Sequence, residues 1–324
     1  MAPLLLPCLA ACALACWRWP APLAREYIAA ARALDEPAPD EAATALILAE
    51  ATRIVGDNTP WDVASVLAVN AGLFARLRVR YDPERTRVPN QAPHETLERG
   101  AATCTGLSLV LVTALRGMGV AARVVGTAEW EASDDPARGN HNWVEAFAFS
   151  GPVAEWIYMG AAEDSEPSST WFSDRAARAP RGVFAARATP AAVNLKFPLV
   201  WRDDGNTPDD GGESVDVAAV DRSARYRQPV LRELRLSQQL QALANQHRCT
   251  VCVVIRDFEC PDEIISLVEF GAALIQPHWI HNGCAPLDGA ATVTLAAGKR
   301  CLLEVFLPLR IEQAEDLFTV EEKK

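Results

Sequence analysis

The sequence predicts an α+β fold, with helices first and strands after them. Three observations carry this. Residues 22–56 are rich in Ala, Leu and Glu, and Asp62–Arg80 places apolar residues near helical spacing. An apolar segment starting at Cys104 keeps one stripe, Leu107, Val110, Leu111, Ala114 and Leu115, at i, i+3, i+4, i+7 and i+8. Beyond residue 120 the pattern shortens into β-branched and aromatic runs between turn residues.

In chain order, residues 1–21 read as a leader, since the first 16 are apolar. Ala13-Leu14-Ala15 fits a small-residue processing site, and Leu9-Ala10-Ala11-Cys12 resembles a lipoprotein box. No Lys or Arg precedes the run, and it falls short of the ~20 apolar residues of a membrane span. Export and an apolar extension without a targeting role both stay open. The expected location is secreted or membrane-anchored, with the cytoplasm as the alternative, and the leader alone is expected to meet a membrane.

Residues 22–56 read as two helices broken by DEPAPDE. Asp62–Arg80 reads as a third, with Val63, Val66, Leu67, Asn70, Leu73 and Phe74 near helical spacing. A polar loop, YDPERTRVPNQAPHETLERG, separates it from the cysteine helix, which Gly117 and Gly119 are expected to end. VAARVVGTAEW, HNWVEAFAF and AEWIYMGAA then read as an antiparallel meander. RDDGNTPDDGGES (202–214) is an acidic, Gly-rich loop. VLRELRLSQQLQALANQH is ambiguous, with helix favoured on propensity. CTVCVVIRDF, ISLVEF, ATVTLAAG and CLLEVFLPL read as strands of a small β-sandwich. The expected domains are 22–229 and 230–324.

The 324 residues carry a formal charge of −11 with no basic cluster, which argues against a nucleic-acid partner. Of nine cysteines, three lie in the leader, one is Cys104, and Cys249, Cys252, Cys260, Cys284 and Cys301 lie near the C-terminus. Cys249 and Cys252 fall in a strand-like run, where residues three apart face opposite sides. Core cysteines or disulfides are therefore favoured over zinc held with His278 or His281. No cofactor and no metal is expected.

The chemistry centres on Cys104. A cysteine in the first turn of a helix meets the positive end of the dipole and free backbone N–H groups. A lowered thiol pKa is expected there, and the same N–H groups suit an oxyanion. His141, in GNHNWVEAFAF at a strand start, is the candidate base that takes the thiol proton and later protonates a leaving amine. His94 is a rival base, placed in the loop. The plainer reading is a structural cysteine and an edge histidine.

GAATCTGLSLVLVTALRGMGVAARVVG, followed by NHNWVEAF and EWIYMGAAE, resembles the transglutaminase-like cysteine enzymes. Arg116, Gly119, Val120, Ala122, Arg123, Val125 and Gly126 fill that family's R-x-x-G-[I/V]-x-A-R-x-V-x-G element. His141, Trp143, Val144 and Glu145 fill H-x-W-V-E. VPNQAPHET, WIYMGAAEDSEPSSTWF, FPLVW and VDVAAVDRSARY extend the resemblance to a bacterial-type subgroup, over roughly 80–228. It implies papain-like geometry: a helix carrying the nucleophile Cys104, packed on an antiparallel sheet carrying the base His141.

The family's third residue, the aspartate of W-x-x-x-D-P, falls on Gly160 when counted from Trp156. Glu163 is the next carboxylate and is expected to orient His141 in its place, with Asp164 after it. Trp143 and Glu145 alternate with His141 and are expected on its face. Trp143 is expected either to line the cleft as a substrate contact or to be core, and Glu145 to pair with Arg123. Asn90 or Gln91 could donate to an oxyanion, although a turn role is favoured.

The implied activity is acyl transfer on amide or peptide bonds of a protein or peptide substrate, through a Cys104 thioester. Hydrolysis is favoured over crosslinking. The alternative is a catalytically silent scaffold that binds peptide or glycan. No D-x-D-x-D-G loop is present, so calcium control of the animal transglutaminase kind is not implied.

Overall fold

Three helices come first among the described residues. α1 (Ala21–Tyr27) follows Pro20 and buries Leu23, Ala24 and Tyr27. α2 (Glu41–Val55) begins where the Asp40 carboxylate accepts from Ala43 N at 2.8 Å. α3 (Val63–Leu77) begins in the same way, with Asp62 accepting from Ser65 N at 2.6 Å. It stops three residues before Arg80 because Arg78 turns left-handed at φ 56° and caps it. The computed structural model describes residues 19–56, 61–86, 88, 90–129, 139–164, 166–189, 195–199, 217–227, 231–236, 251–257, 262–270, 291–296, 301–307, 310–312 and 318–321. Residues 1–18 of the expected leader and the loop 202–214 lie outside the described residues.

The segment expected as a loop is partly ordered. β1 (Arg80–Tyr81) pairs in parallel with β2 (Ala101–Ala102), and α4 (Pro93–Arg99) lies between them. Pro93 sets the first helical φ and the Glu95 carboxylate returns to Ala92 N at 2.7 Å, a local helix start. His94 therefore sits on a helix, not in a loop.

α5 (Cys104–Gly117) starts behind Thr103, whose hydroxyl accepts from Gly106 N. It buries more than the expected stripe, because Leu109 and Val112 on other sides are also covered. The helix packs against α2, α4 and β3 (Ala122–Thr127), so most of its circumference is core. Arg116 bolts its end in place, donating to the carbonyls of Ala122, Ala30 and Arg32.

The period change after residue 120 gives β3, β4 (His141–Ser150) and β5 (Val153–Met159). β3 and β4 are antiparallel, with Arg123 opposite Glu145, Val125 opposite Trp143 and Thr127 opposite His141. β6 (Phe184–Arg187), β7 (Leu195–Lys196) and β8 (Ala218–Asp221) extend the sheet in the order β5-β4-β3-β6-β8-β7. Short α6 (Ser173–Arg178) and α7 (Ser223–Tyr226) complete this part of the α+β fold.

The chain divides into two units: Met1–Phe147 with Ile157–Arg227, and Ala148–Trp156 with Gln228–Lys324. The tip of the β4–β5 hairpin thus belongs to the second unit. There Ser266 lies opposite Glu155, and Trp156 donates to Ile264 O at 2.9 Å. The second unit also contains β9 (Leu231–Leu236), β10 (Val251–Asp257), β11 (Ile264–Phe270), β12 (Ala291–Ala296), β13 (Cys301–Leu307), β14 (Arg310–Glu312) and β15 (Phe318–Glu321). Residues 231–236 are a strand where helix was favoured, because β12 and β15 pair with both of its edges. Ladder bonding on two sides outweighs local propensity. Cys249, Cys260, His278, His281 and Cys284 lie outside the described residues, and of Cys252 and Cys301 the structure describes the backbone alone. Among the described residues no helix is long and apolar enough to cross a membrane.

Candidate active site

Cys104 is the first residue of α5, and its thiol is free and half-buried. Its sulfur accepts hydrogen bonds from the backbone N–H of Asn142 and of Thr105, and the Thr105 hydroxyl bonds it as well. Asn142 Nδ2 in turn donates to Thr105 Oγ1 at 2.7 Å. One residue of β4 therefore serves the cysteine through both main chain and side chain. This arrangement explains the glycine of the R-x-V-x-G element. Gly126 lies opposite Asn142, and a Cβ there would fall 2.0 Å from Asn142 Oδ1.

His141 precedes Asn142 and is held in an aromatic cage. Trp143 stacks beside it at 5.9 Å between ring centroids, Phe172 meets it edge-on at 5.0 Å, and Trp171 tilts against it at 5.3 Å. Trp143 and Phe172 are fully buried, whereas Trp171 is 58% exposed. Of the two places open to Trp143, it takes the core. That corrects its expected part as a substrate contact, since its ring is covered by Phe172 and Tyr226. The exposed indole beside His141 is that of Trp171.

Behind Trp143 lies a buried polar network. Trp143 Nε1 donates to Tyr226 OH at 2.7 Å, and Tyr226 donates to Glu145 Oε1 at 2.9 Å. Arg123 Nε and Nη2 reach Glu145 Oε2 at 2.9 and 2.8 Å, and Arg222 Nε lies 3.3 Å away. The Arg123–Glu145 pair read from the sequence is present. Burial raises the Glu145 pKa, but the two guanidiniums and the hydrogen bonds outweigh it and hold the carboxyl below its ordinary value.

The carboxylate side is irregular. Gly160 follows β5, and a Cβ at this position would lie 2.1 Å from Glu163 Oε2 and 2.3 Å from Glu163 Cδ. The Glu163 carboxyl thus occupies the space where a side chain at 160 would begin. The bend that brings it there is clamped by Asn70, a buried residue on α3. Asn70 donates to Gly160 O at 2.9 Å and Glu163 O at 2.8 Å, and accepts from Ala162 N at 3.0 Å. Ala162 adopts a left-handed φ of 64°, a local strain that such clamping sustains, and Ser168 a φ of 57°. Trp171 Nε1 donates to Glu163 Oε2 at 2.9 Å. Burial raises the Glu163 pKa, and the indole bond opposes it.

The electrostatics correct one expectation. Burial pushes the Cys104 thiol up, against the hydrogen bonds from Asn142 and Thr105 that pull it down. Burial also pushes the His141 imidazole down to about 4. Both shifts favour the uncharged form, of the thiol and of the imidazole. The helix start supplies donors as expected, but desolvation is the larger effect.

The other candidates separate. Gln91 is buried, with Nε2 donating to Thr96 Oγ1 and Ala101 O, and Asn90 Nδ2 donates to Asp35. Those amides are engaged in holding the turn. Tyr81 is exposed, and the Cys104 charge adds to burial in raising its hydroxyl pKa, which places it within electrostatic reach of the sulfur. Among the described residues no group of His, Cys, Asp and Glu could hold a metal ion. Sequence reasoning missed Asn142, Asn70, Trp171, Phe172 and Tyr226. Asn70 alone left a signal, as a polar residue on an otherwise apolar helix face.

No curated protein matches the chain. Residues 51–161, which run from the end of α2 through the cysteine helix and β4 to the bend after β5, match the family model of the transglutaminase-like superfamily. Residues 51–161 therefore form a transglutaminase-like domain, of a papain-like superfamily of cysteine enzymes.

Proposed function

We propose that the protein is a cysteine-dependent acyl-transfer enzyme acting on amide or peptide bonds of a protein or peptide, with water as the resolving nucleophile. The observation that carries this reading is the place of the Cys104 sulfur. It lies in the first turn of α5, free, with the N–H groups of Asn142 and Thr105 directed at it and His141 next to Asn142 in the chain.

In this reading the Cys104 sulfur attacks the carbonyl carbon as its proton passes to His141. Backbone N–H groups at the start of α5 stabilise the oxyanion. The C–N bond then breaks and His141 returns the proton to the leaving amine, leaving a thioester. Water, deprotonated by His141, attacks the thioester, releasing the acid and restoring the thiol. Glu163 fills the part of the orienting carboxylate. Hydrolysis is favoured over transfer to an amine in this reading. The second unit's two sheets are read as a small β-sandwich accessory module.

Alkylation of Cys104 by iodoacetamide, followed against pH in the wild type and in His141→Ala, tests this reading. The expected result is a reaction that His141 accelerates, with its acid limb at about 4 because the buried imidazole stays uncharged above that value. A slow reaction indifferent to His141 would leave the silent peptide- or glycan-binding scaffold as the better account. Mass analysis of peptide products with and without added ethylamine separates hydrolysis from crosslinking-type transfer.

A further inference from the structure

One exposed side chain, through a hydrogen bond and a ring contact, links the carboxylate to the imidazole. Trp171 donates its indole N–H to Glu163 Oε2 at 2.9 Å, and its ring lies 5.3 Å from His141. The other two rings around His141 are buried, so Trp171 is the exposed member of the cage. It is also pre-set. The guanidinium of Arg175, one turn along on α6, sits over its ring at 5.7 Å. The turn that presents it is pinned by Ser173, which accepts from Thr170 N at 2.9 Å and from Tyr158 OH at 3.0 Å. Phe172, next in the chain, anchors the turn in the core.

We infer that Trp171 is a positioning residue of the site: its N–H holds the Glu163 carboxyl in the space beside Gly160 while its ring covers the outer face of His141. This rests on the roles proposed above for His141 and Glu163. An indole performs both tasks because it carries a donor on the rim of a broad apolar face. A phenylalanine would keep the cover and lose the donor, which makes the two tasks separable.

The test is a double-mutant cycle on the full chain, with the rate of Cys104 alkylation by iodoacetamide at pH 7 as readout and the melting temperature as control. Trp171→Phe and Glu163→Ala are each expected to slow the reaction by about threefold to tenfold, the scale of one ordinary hydrogen bond. The double variant is expected to be no slower than the slower single variant. In a His141→Ala background, Trp171→Phe is expected to change nothing, since its effect passes through the imidazole. Multiplying effects in the cycle, or a loss that persists without His141, would overturn the inference, as would an unaltered rate in Trp171→Phe when Glu163→Ala is slow. If His141→Ala itself leaves the rate unchanged, the proposed function fails instead, a distinct outcome of the same series.

Discussion

Glu145 and Glu163 both connect through aromatic side chains to the same histidine, yet their environments are opposite. Glu145 connects through Tyr226 to Trp143, which stacks on His141. Glu163 connects through Trp171, which tilts against His141. The first carboxyl is wholly buried between Arg123 and Arg222, and its pKa is lowered. The second is half-buried with one indole donor, and its pKa is raised. A carboxylate locked between two guanidiniums holds structure together. One with a single donor and a raised pKa has the environment of a group that can serve a reaction.

His141→Ala gives the largest expected effect on the side of chemistry, a loss of about 10²- to 10⁴-fold in acyl transfer, the usual span for a positioned base. Steady-state kinetics on a peptide substrate checks it, and a smaller loss would remove the reason to rank the two glutamates by their route to His141. Glu145→Gln is expected to fall on stability instead, by about 3–5 kcal/mol, because it leaves Arg123 buried without its counter-charge. Urea unfolding measures this.

The sign of the pH dependence follows from the lowered Glu145 pKa. Its contribution is fully present above the unfolded-state value of about 4.3 and is lost as pH falls through the lower folded value. For Glu163 the sign reverses, since a raised folded pKa makes the ionised form the less favourable one in the native state.

Gly126→Ala sharpens the comparison from the cysteine side. Its Cβ would displace Asn142 and release Thr105, costing about 1–3 kcal/mol of stability as an overpacked core site. The alkylation rate of the remaining folded protein should fall with it. The smallest expected effect is that of Glu163→Gln, an about tenfold slower reaction with an unchanged or slightly raised melting temperature. Gly160→Ala should mimic it, since its Cβ claims the space of the Glu163 carboxyl. A large drop in melting temperature in Glu163→Gln would mean that both glutamates are structural and the contrast is void.

Much of this was legible before any coordinates. The helical periods of residues 41–55, 63–77 and 104–117, and the alternation that puts His141, Trp143 and Glu145 on one face, are local patterns, and local patterns survive folding when the surroundings agree with them. The departures occur where partners distant in sequence decide. Residues 231–236 take strand form because β12 and β15 claim both edges. The Cys104 thiol is pushed up because the elements around it remove water, a quantity no spacing of residues encodes.

By itself the sequence determined the α+β order, the placing of Cys104 at a helix start, the strand that begins at His141, and the Arg123–Glu145 pair. Each of these depends on chain neighbours or on one sheet register. Only the tertiary structure decided that Asn142 serves the cysteine and that Trp143 is core while Trp171 is exposed. It also decided that a bend clamped by Asn70 carries Glu163 into the space beside Gly160. Those contacts join residues far apart in the chain, and their geometry exists only once the helices and the sheet have packed.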